Sequence, residues 1–137
     1  MIYINFLAVL VAAVVHMSLG ALWFSPLLFG KQWLSVSNVT PEMMAASKAK
    51  GGMWKSYLVA FIASLAMAYV LAHFIFFVGA TSVLEGFQIG FWTVLGFIAP
   101  VLLSGVLWEG RPRKWFWINA LYYLVSLLIM GAILALW

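Results

Sequence analysis

Four long apolar stretches, at about residues 5–28, 53–78, 84–108 and 115–137, decide what this 137-residue chain can fold into. Each exceeds the ~17 residues that a helix needs to cross the hydrocarbon of a bilayer, and each is long enough to tilt. The stretches lack a sustained apolar/polar alternation and are far longer than a ~10-residue barrel strand, so helices are expected. The chain is 67% apolar and 7% charged. A soluble domain is roughly 45–50% apolar and about 25% charged, so polar surface is too scarce here to cover a globule in water. A soluble enzyme, a nucleic-acid binder and a disordered tail are excluded on that ground. The absence of cysteine removes disulfides, thiolate metal sites and thiol chemistry.

The expected fold is therefore all-α: one integral membrane four-helix transmembrane bundle occupying residues 1–137. The first stretch has no basic segment ahead of it, and its flanking charge, Lys31, follows the apolar run. It reads as a retained span, not a signal peptide.

The basic residues give a direction. Lys31, Lys48, Lys50 and Lys55 lie between the first and second stretches, and Arg111, Arg113 and Lys114 between the third and fourth. The N-terminal residues, the link 79–83 and the C-terminal residues contain no lysine or arginine. The positive-inside rule places both basic links in the cytoplasm and both termini outside. Trp23, Trp33, Trp54, Trp108, Trp115 and Trp117 border the same two links, where an indole can keep its ring in lipid and its N–H in water.

Within the long link 29–52, Thr40-Pro41-Glu42 reads as a helix start: an N-cap, a proline in the first turn and an acid near the positive end of the dipole. A short interfacial helix is expected over about 41–50. It serves either as a solvated connector or as a binder of anionic lipid through Lys48 and Lys50. Asn38-Val39-Thr40 matches a glycosylation sequon, which a cytoplasmic link would make irrelevant.

Small residues recur at helical spacing: Ala8, Ala12 and Gly20 with His16 in the first stretch; Ser56, Ala60, Ser64, Ala68 and Ala72 in the second; Gly86 and Gly90 in the third. Helix association in lipid relies on close backbone approach and interhelical hydrogen bonds, so these are packing faces, within one chain or between chains. Pro100 interrupts the third stretch and predicts a kink there, because it supplies no N–H and its ring crowds the preceding turn. The words Gly20-Ala21-Leu22-Trp23 and Gly105-Val106-Leu107-Trp108, with Tyr57-Leu58-Val59-Ala60 and Tyr123-Leu124-Val125-Ser126, would fit two parallel helical-hairpin repeats.

Few polar groups need an account at membrane depth. At ~1.5 Å per residue, His16 lies about 17 Å from the outer boundary, with Tyr123 and Ser126 at similar depth and Tyr69 within about a turn. An imidazole there needs a partner, so His16, Tyr69, Tyr123 and Ser126 form a candidate mid-membrane site, either packed and neutral or handling a proton or ligand. Ser25, Ser104, Glu109 and Asn119 form a second candidate cluster near the cytoplasmic boundary, with Glu109 placed to pair with Arg111 or Arg113. No nucleophile–base spacing, phosphate cradle or metal-ligand spacing is legible, so no catalytic residue, metal or cofactor is expected.

The chain resembles the domain-of-unknown-function 1761 family of small, mostly bacterial membrane proteins. The resemblance rests on Asn5 with the run from Leu7 to Ala13, on Gly20-Ala21-Leu22-Trp23-Phe24-Ser25-Pro26-Leu27-Leu28-Phe29-Gly30-Lys31, and on Tyr57-Leu58-Val59-Ala60-Phe61. Glu109-Gly110-Arg111-Pro112, Asn119-Ala120 and Met130-Gly131-Ala132-Ile133-Leu134 continue it. Relatives often have tyrosine where this chain has Phe24. The resemblance implies a four-span protein of the bacterial cytoplasmic membrane and supplies no activity. The residues favour an oligomeric channel or transporter for a small solute or ion; the alternative is a non-catalytic lipid-binding or accessory/assembly subunit of a membrane complex. The expected partners are the bilayer, its anionic lipids and further copies of the chain, with no nucleic acid.

The absence of native cysteine makes the orientation directly readable. Ser47→Cys should react with an impermeant maleimide only after the membrane is opened, and Thr81→Cys in intact cells. The reverse pattern would overturn the assignment.

Overall fold

The computed structural model describes residues 2–37, 39–51 and 53–137, and the sequon's Asn38 lies outside them. The described chain is helical: α1 (Phe6–Trp23), α2 (Gly30–Val36), α3 (Pro41–Ala49), α4 (Trp54–Val78), α5 (Val83–Thr93), a π turn (Val94–Ile98), α6 (Ala99–Trp108) and α7 (Arg113–Leu136). Four helical segments are long and apolar enough to cross a bilayer: α1, α4, the continuous run Val83–Trp108, and α7.

Helix ends follow local chemistry. The Asn5 side chain caps α1 by accepting from the N–H groups of Leu7 (3.0 Å) and Ala8 (3.2 Å). α1 stops at Trp23, five residues short of the expected boundary at 28. Pro26 disfavours helical backbone at Ser25, and the chain turns there, with Phe29 N–H donating to the Trp23 carbonyl (2.9 Å) and Gly30 N–H to the Ser25 carbonyl (2.8 Å). A Cβ on Gly30 would strike the backbone of Ser25 and Phe24. This turn leads straight into α2, which is helical although it lies within the expected link 29–52. At α3, Thr40 Oγ1 accepts from Met43 N–H (3.1 Å) behind Pro41, and no α3 residue is buried. α4 ends on Gly79 in the left-handed conformation (φ 78°). α5 opens on a capping box in which Ser82 Oγ accepts from Glu85 N–H (3.2 Å), while Glu85 Oε2 accepts from the N–H groups of Thr81 (2.7 Å) and Ser82 (3.0 Å).

α7 is the central helix and packs against α1, α4, α5 and α6. Its contact with α5 is the closest. A Cβ on Gly86 would land on the Gly131 carbonyl, one on Gly131 on the Gly86 carbonyl, and one on Gly90 on the Leu127 carbonyl. The two backbones touch, which is how helices associate where burial of apolar surface gains little. α1 packs on α4, with Ala8, Ala12 and Ala13 in the same core as Ala68, Ala72 and Ile75. Ser64 is buried too, while Ser56 and Ala60 stay exposed. The small-residue faces that the sequence left open to either use are mostly consumed inside one chain. The hairpins are not equivalent in their packing, since α1 lies broadly on α7 while α5 makes only a small contact with α4.

The expected kink at Pro100 takes a specific form. The turn before it widens to a π turn, with Ala99 N–H donating to the Val94 carbonyl. One extra residue in the turn accommodates a position that lacks an N–H and carries a ring. Beyond it, α6 meets α7 through a side chain instead of backbone: the Trp115 ring lies against Gly105, 3.0 Å from where a Cβ would stand. The third span thus lies hard on α7 along α5 and is held off it along α6.

Gly86→Val should lower thermal stability in micelles or nanodiscs by roughly 1–3 kcal/mol or abolish folding. Gly96→Ala, where the added methyl meets nothing within 4 Å, should be neutral or slightly stabilising. Equal melting of the two variants would contradict the backbone contact.

Candidate functional site

His16 lies on the buried face of α1, ten residues beyond Phe6 and seven before Trp23, and is 6% exposed. Its stripe, Ala8-Ala12-His16-Gly20, faces a second stripe on α7 made by Tyr122, Ser126 and Met130, all buried and spaced by four. His16 Nδ1 is hydrogen-bonded to Ser126 Oγ. The Tyr122 hydroxyl donates to the His16 carbonyl (3.0 Å) and lies 3.2 Å from Nε2 and 3.3 Å from Nδ1. With its proton given to the carbonyl, the Tyr122 oxygen can only accept from the ring, so both nitrogens are satisfied in the tautomer in which Nε2–H donates to Tyr122 and Nδ1 accepts from Ser126. Gly20 makes this possible, because a Cβ there would sit 2.7 Å from the Tyr122 oxygen.

A serine hydroxyl on an imidazole nitrogen is one element of a nucleophile–base pair. Here Ser126 is 0% exposed and, among the described residues, no carboxylate bonds to the imidazole. The basic end of the site is covered by aromatic rings from the turn after α1. Phe24 meets Tyr122 edge-on (5.2 Å), Trp23 and Phe29 pack together (4.8 Å), and Trp23 Nε1–H donates to the Ile118 carbonyl (3.1 Å). The Trp23-Phe24-Ser25-Pro26 run is thus a cover over His16, fastened to α7.

The other expected members fall elsewhere. Tyr123 stacks its ring on His16 (6.0 Å) but sends no hydrogen bond to it. Tyr69 is not at this level. It stacks on Phe6 (6.2 Å) and meets His73 edge-on (4.5 Å), and it is exposed. Tyr69 is one residue past Ala68, so it points about 100° away from the packed face of α4, and it lies roughly 22 Å along the helix from Trp54. The His73 Nδ1–H donates to the Tyr69 carbonyl (2.8 Å). Tyr122 was missed, although its position four residues before Ser126 on an apolar helix was a readable signal.

The second expected cluster is not assembled. Ser25 Oγ donates to the Leu22 carbonyl (2.6 Å), Ser104 Oγ to the Pro100 carbonyl (3.2 Å) and Asn119 Nδ2 to the Trp115 carbonyl (2.8 Å), each within its own segment. Glu109 pairs with Arg111 (3.1 Å) at the exposed turn, and the Arg111 guanidinium lies 4.7 Å over the Trp115 ring. Among the described residues, no three His, Cys, Asp or Glu side chains come together as a metal site would require.

A lateral concavity was not foreseen. A groove of about 570 Å³ opens sideways between α4 and the π turn with α6, and α7 forms its floor. Met67, Val70 and Phe74 line one wall, Phe97, Ile98 and Val101 the other, with Tyr123 and Leu127 below. Most of them come from the middle of their spans, with Phe74 about a turn from the Val78 end of α4, so the groove lies at hydrocarbon depth. Its polar groups are two hydroxyls. Thr93 Oγ1 donates to the Ile89 carbonyl (2.7 Å), whereas the Tyr123 hydroxyl has no hydrogen-bond partner among the described residues.

These features define a multi-pass helical membrane protein with an enclosed polar contact and a lateral apolar groove. The chain belongs to the family of proteins of unknown function DUF1761, whose model matches residues 7–135. Comparison with curated proteins and with solved structures gives no match.

Ser126→Ala or Tyr122→Phe should destabilise the fold by ~1–3 kcal/mol, because a buried imidazole nitrogen or carbonyl loses its partner. Combining His16→Leu with Ser126→Ala should recover part of that loss in thermal unfolding. An unaltered melting temperature in both single variants would show that these contacts carry no stability.

Proposed function

We propose that this protein is a non-catalytic, lipid-binding membrane module that takes an apolar chain into the groove between α4 and the π turn. The observation that carries this reading is the groove itself: mid-membrane, open to the side and lined almost wholly by apolar side chains. Its volume falls within the ~300–1,000 Å³ of small-molecule sites. At that depth the surrounding medium is acyl chain, so a lipid tail reaches the groove without crossing a polar layer.

Passage of a solute or ion has weaker support. His16 is enclosed by Ser126 and Tyr122 of its own chain, so a path through it would have to break both contacts. The small-residue faces that argued for assembly into a ring are largely used within the monomer. Lack of access to Ser126 favours a role without catalysis. At the basic end, Lys31, Lys48, Lys50, Lys55, Arg113 and Lys114 would attract anionic headgroups, at about 1 kcal/mol per cation near the surface, and would hold this end in the cytoplasm of a bacterial inner membrane.

In nanodiscs containing a phospholipid with a diazirine in its acyl chain, photolabelling should concentrate on Met67, Phe97 and Val101. Ala66→Trp, which fills the groove, should remove most of that label. Equal labelling of the groove and of the exposed α4 face at Val59 and Ile62 would overturn the reading, as would solute flux in liposomes that His16→Leu abolishes.

A further inference from the structure

We infer that the groove is built for a quinone-type lipid: an uncharged ring carrying carbonyl acceptors on an apolar tail. This rests on the lipid-binding reading above and names the occupant's chemistry. The starting point is the Tyr123 hydroxyl, an O–H donor on the groove floor without a protein partner among the described residues. Leaving such a donor unpaired in hydrocarbon is costly, so the occupant that fits best brings an acceptor to it.

Depth restricts what that acceptor can be. Tyr123 lies ten residues into α7 from Arg113, about 15 Å along the axis and near the middle of the ~30 Å hydrocarbon layer. The ester carbonyls and phosphates of a glycerolipid are tied to the interface, and a plain acyl tail has no acceptor to offer. A quinone ring is neutral and sufficiently apolar to enter the hydrocarbon, and its carbonyls accept hydrogen bonds without donating any.

The walls offer aromatic and polarisable contacts. Phe74 from α4 and Phe97 from the π turn pack on each other with ring centroids 6.4 Å apart and close one part of the groove with an aromatic surface, and Met67 adds a polarisable thioether. The floor is firm, because the Tyr123 ring is backed by His16 (6.0 Å) and Tyr122 (5.0 Å). The His16 contact thereby gains a second consequence, which is to hold the phenol that faces the groove. The inference concerns binding alone and includes no electron transfer.

The test uses the full chain in the diazirine-lipid nanodiscs, with displacement of groove labelling by two added compounds as the readout. Decylubiquinone and decylbenzene share a ring and a tail, and only the first has acceptors. Decylubiquinone should displace the label at the lower concentration, and Tyr123→Phe should raise its half-displacement concentration about five- to tenfold, the scale of one hydrogen bond. Decylbenzene should displace equally from both proteins, which also shows that the variant's groove is intact. If the two compounds act alike, or if Tyr123→Phe changes neither, the quinone inference is wrong while the lipid-chain reading stands. If no label concentrates in the groove, both fall.

Discussion

The contact between the backbones of α5 and α7 is the constraint from which the rest of the arrangement follows. Gly86, Gly90 and Gly131 let main chain approach main chain, and that approach fixes the rotation of α7 about its axis. Once α7 is fixed, Tyr122, Ser126 and Met130 face α1, and Tyr123 and Leu127 face the space between α4 and α6. In water, burial of the same side chains would have driven association and tolerated looser fits. In lipid that drive is small, and close approach with a few hydrogen bonds has to supply the specificity. The four groups at the centre of the bundle, the imidazole, two hydroxyls and a carbonyl, are accordingly joined to one another.

Polar residues at membrane depth invite a functional reading, and here most of them have structural work. Ser64, Thr93, Ser104 and Asn119 each return a hydrogen bond to the preceding turn of their own helix. His16 pins α1 to α7. The feature that stands apart is the Tyr123 hydroxyl, which has no hydrogen-bond partner among the described residues, on a side chain that lines the groove.

Much of the architecture was legible in the residues, for identifiable reasons. Apolar runs of membrane length have one economical solution, and Thr40-Pro41-Glu42 is a local code that needs no tertiary context. His16 with Ser126 could be paired by counting depth, because both lie near the centres of straight helices. The same count failed for Tyr69, since depth says nothing of which face a residue takes, and for Tyr122, which was passed over for its neighbour. α2 was hidden because its seven residues have no capping side chain or apolar period to announce them. The groove could not be read at all. It depends on how far two helices stand apart, a property of the assembled bundle.

The π turn gives that separation an origin in chain length. An added residue advances the helix by about 100° of rotation, so α6 leaves Ile98 on a heading that an unbroken α-helix would not have. α5 stays against α7 while α6 rides on the Trp115 ring, and the span forms a wedge with its narrow end at the glycines. The width of the groove is therefore written in the number of residues between two fixed points as much as in their side chains. Loss of a single residue from 94–98 would turn the heading of α6 back and bring a different set of side chains to the wall. In this protein a one-residue difference in length, which leaves composition and hydropathy almost untouched, is a change in the shape and lining of the groove.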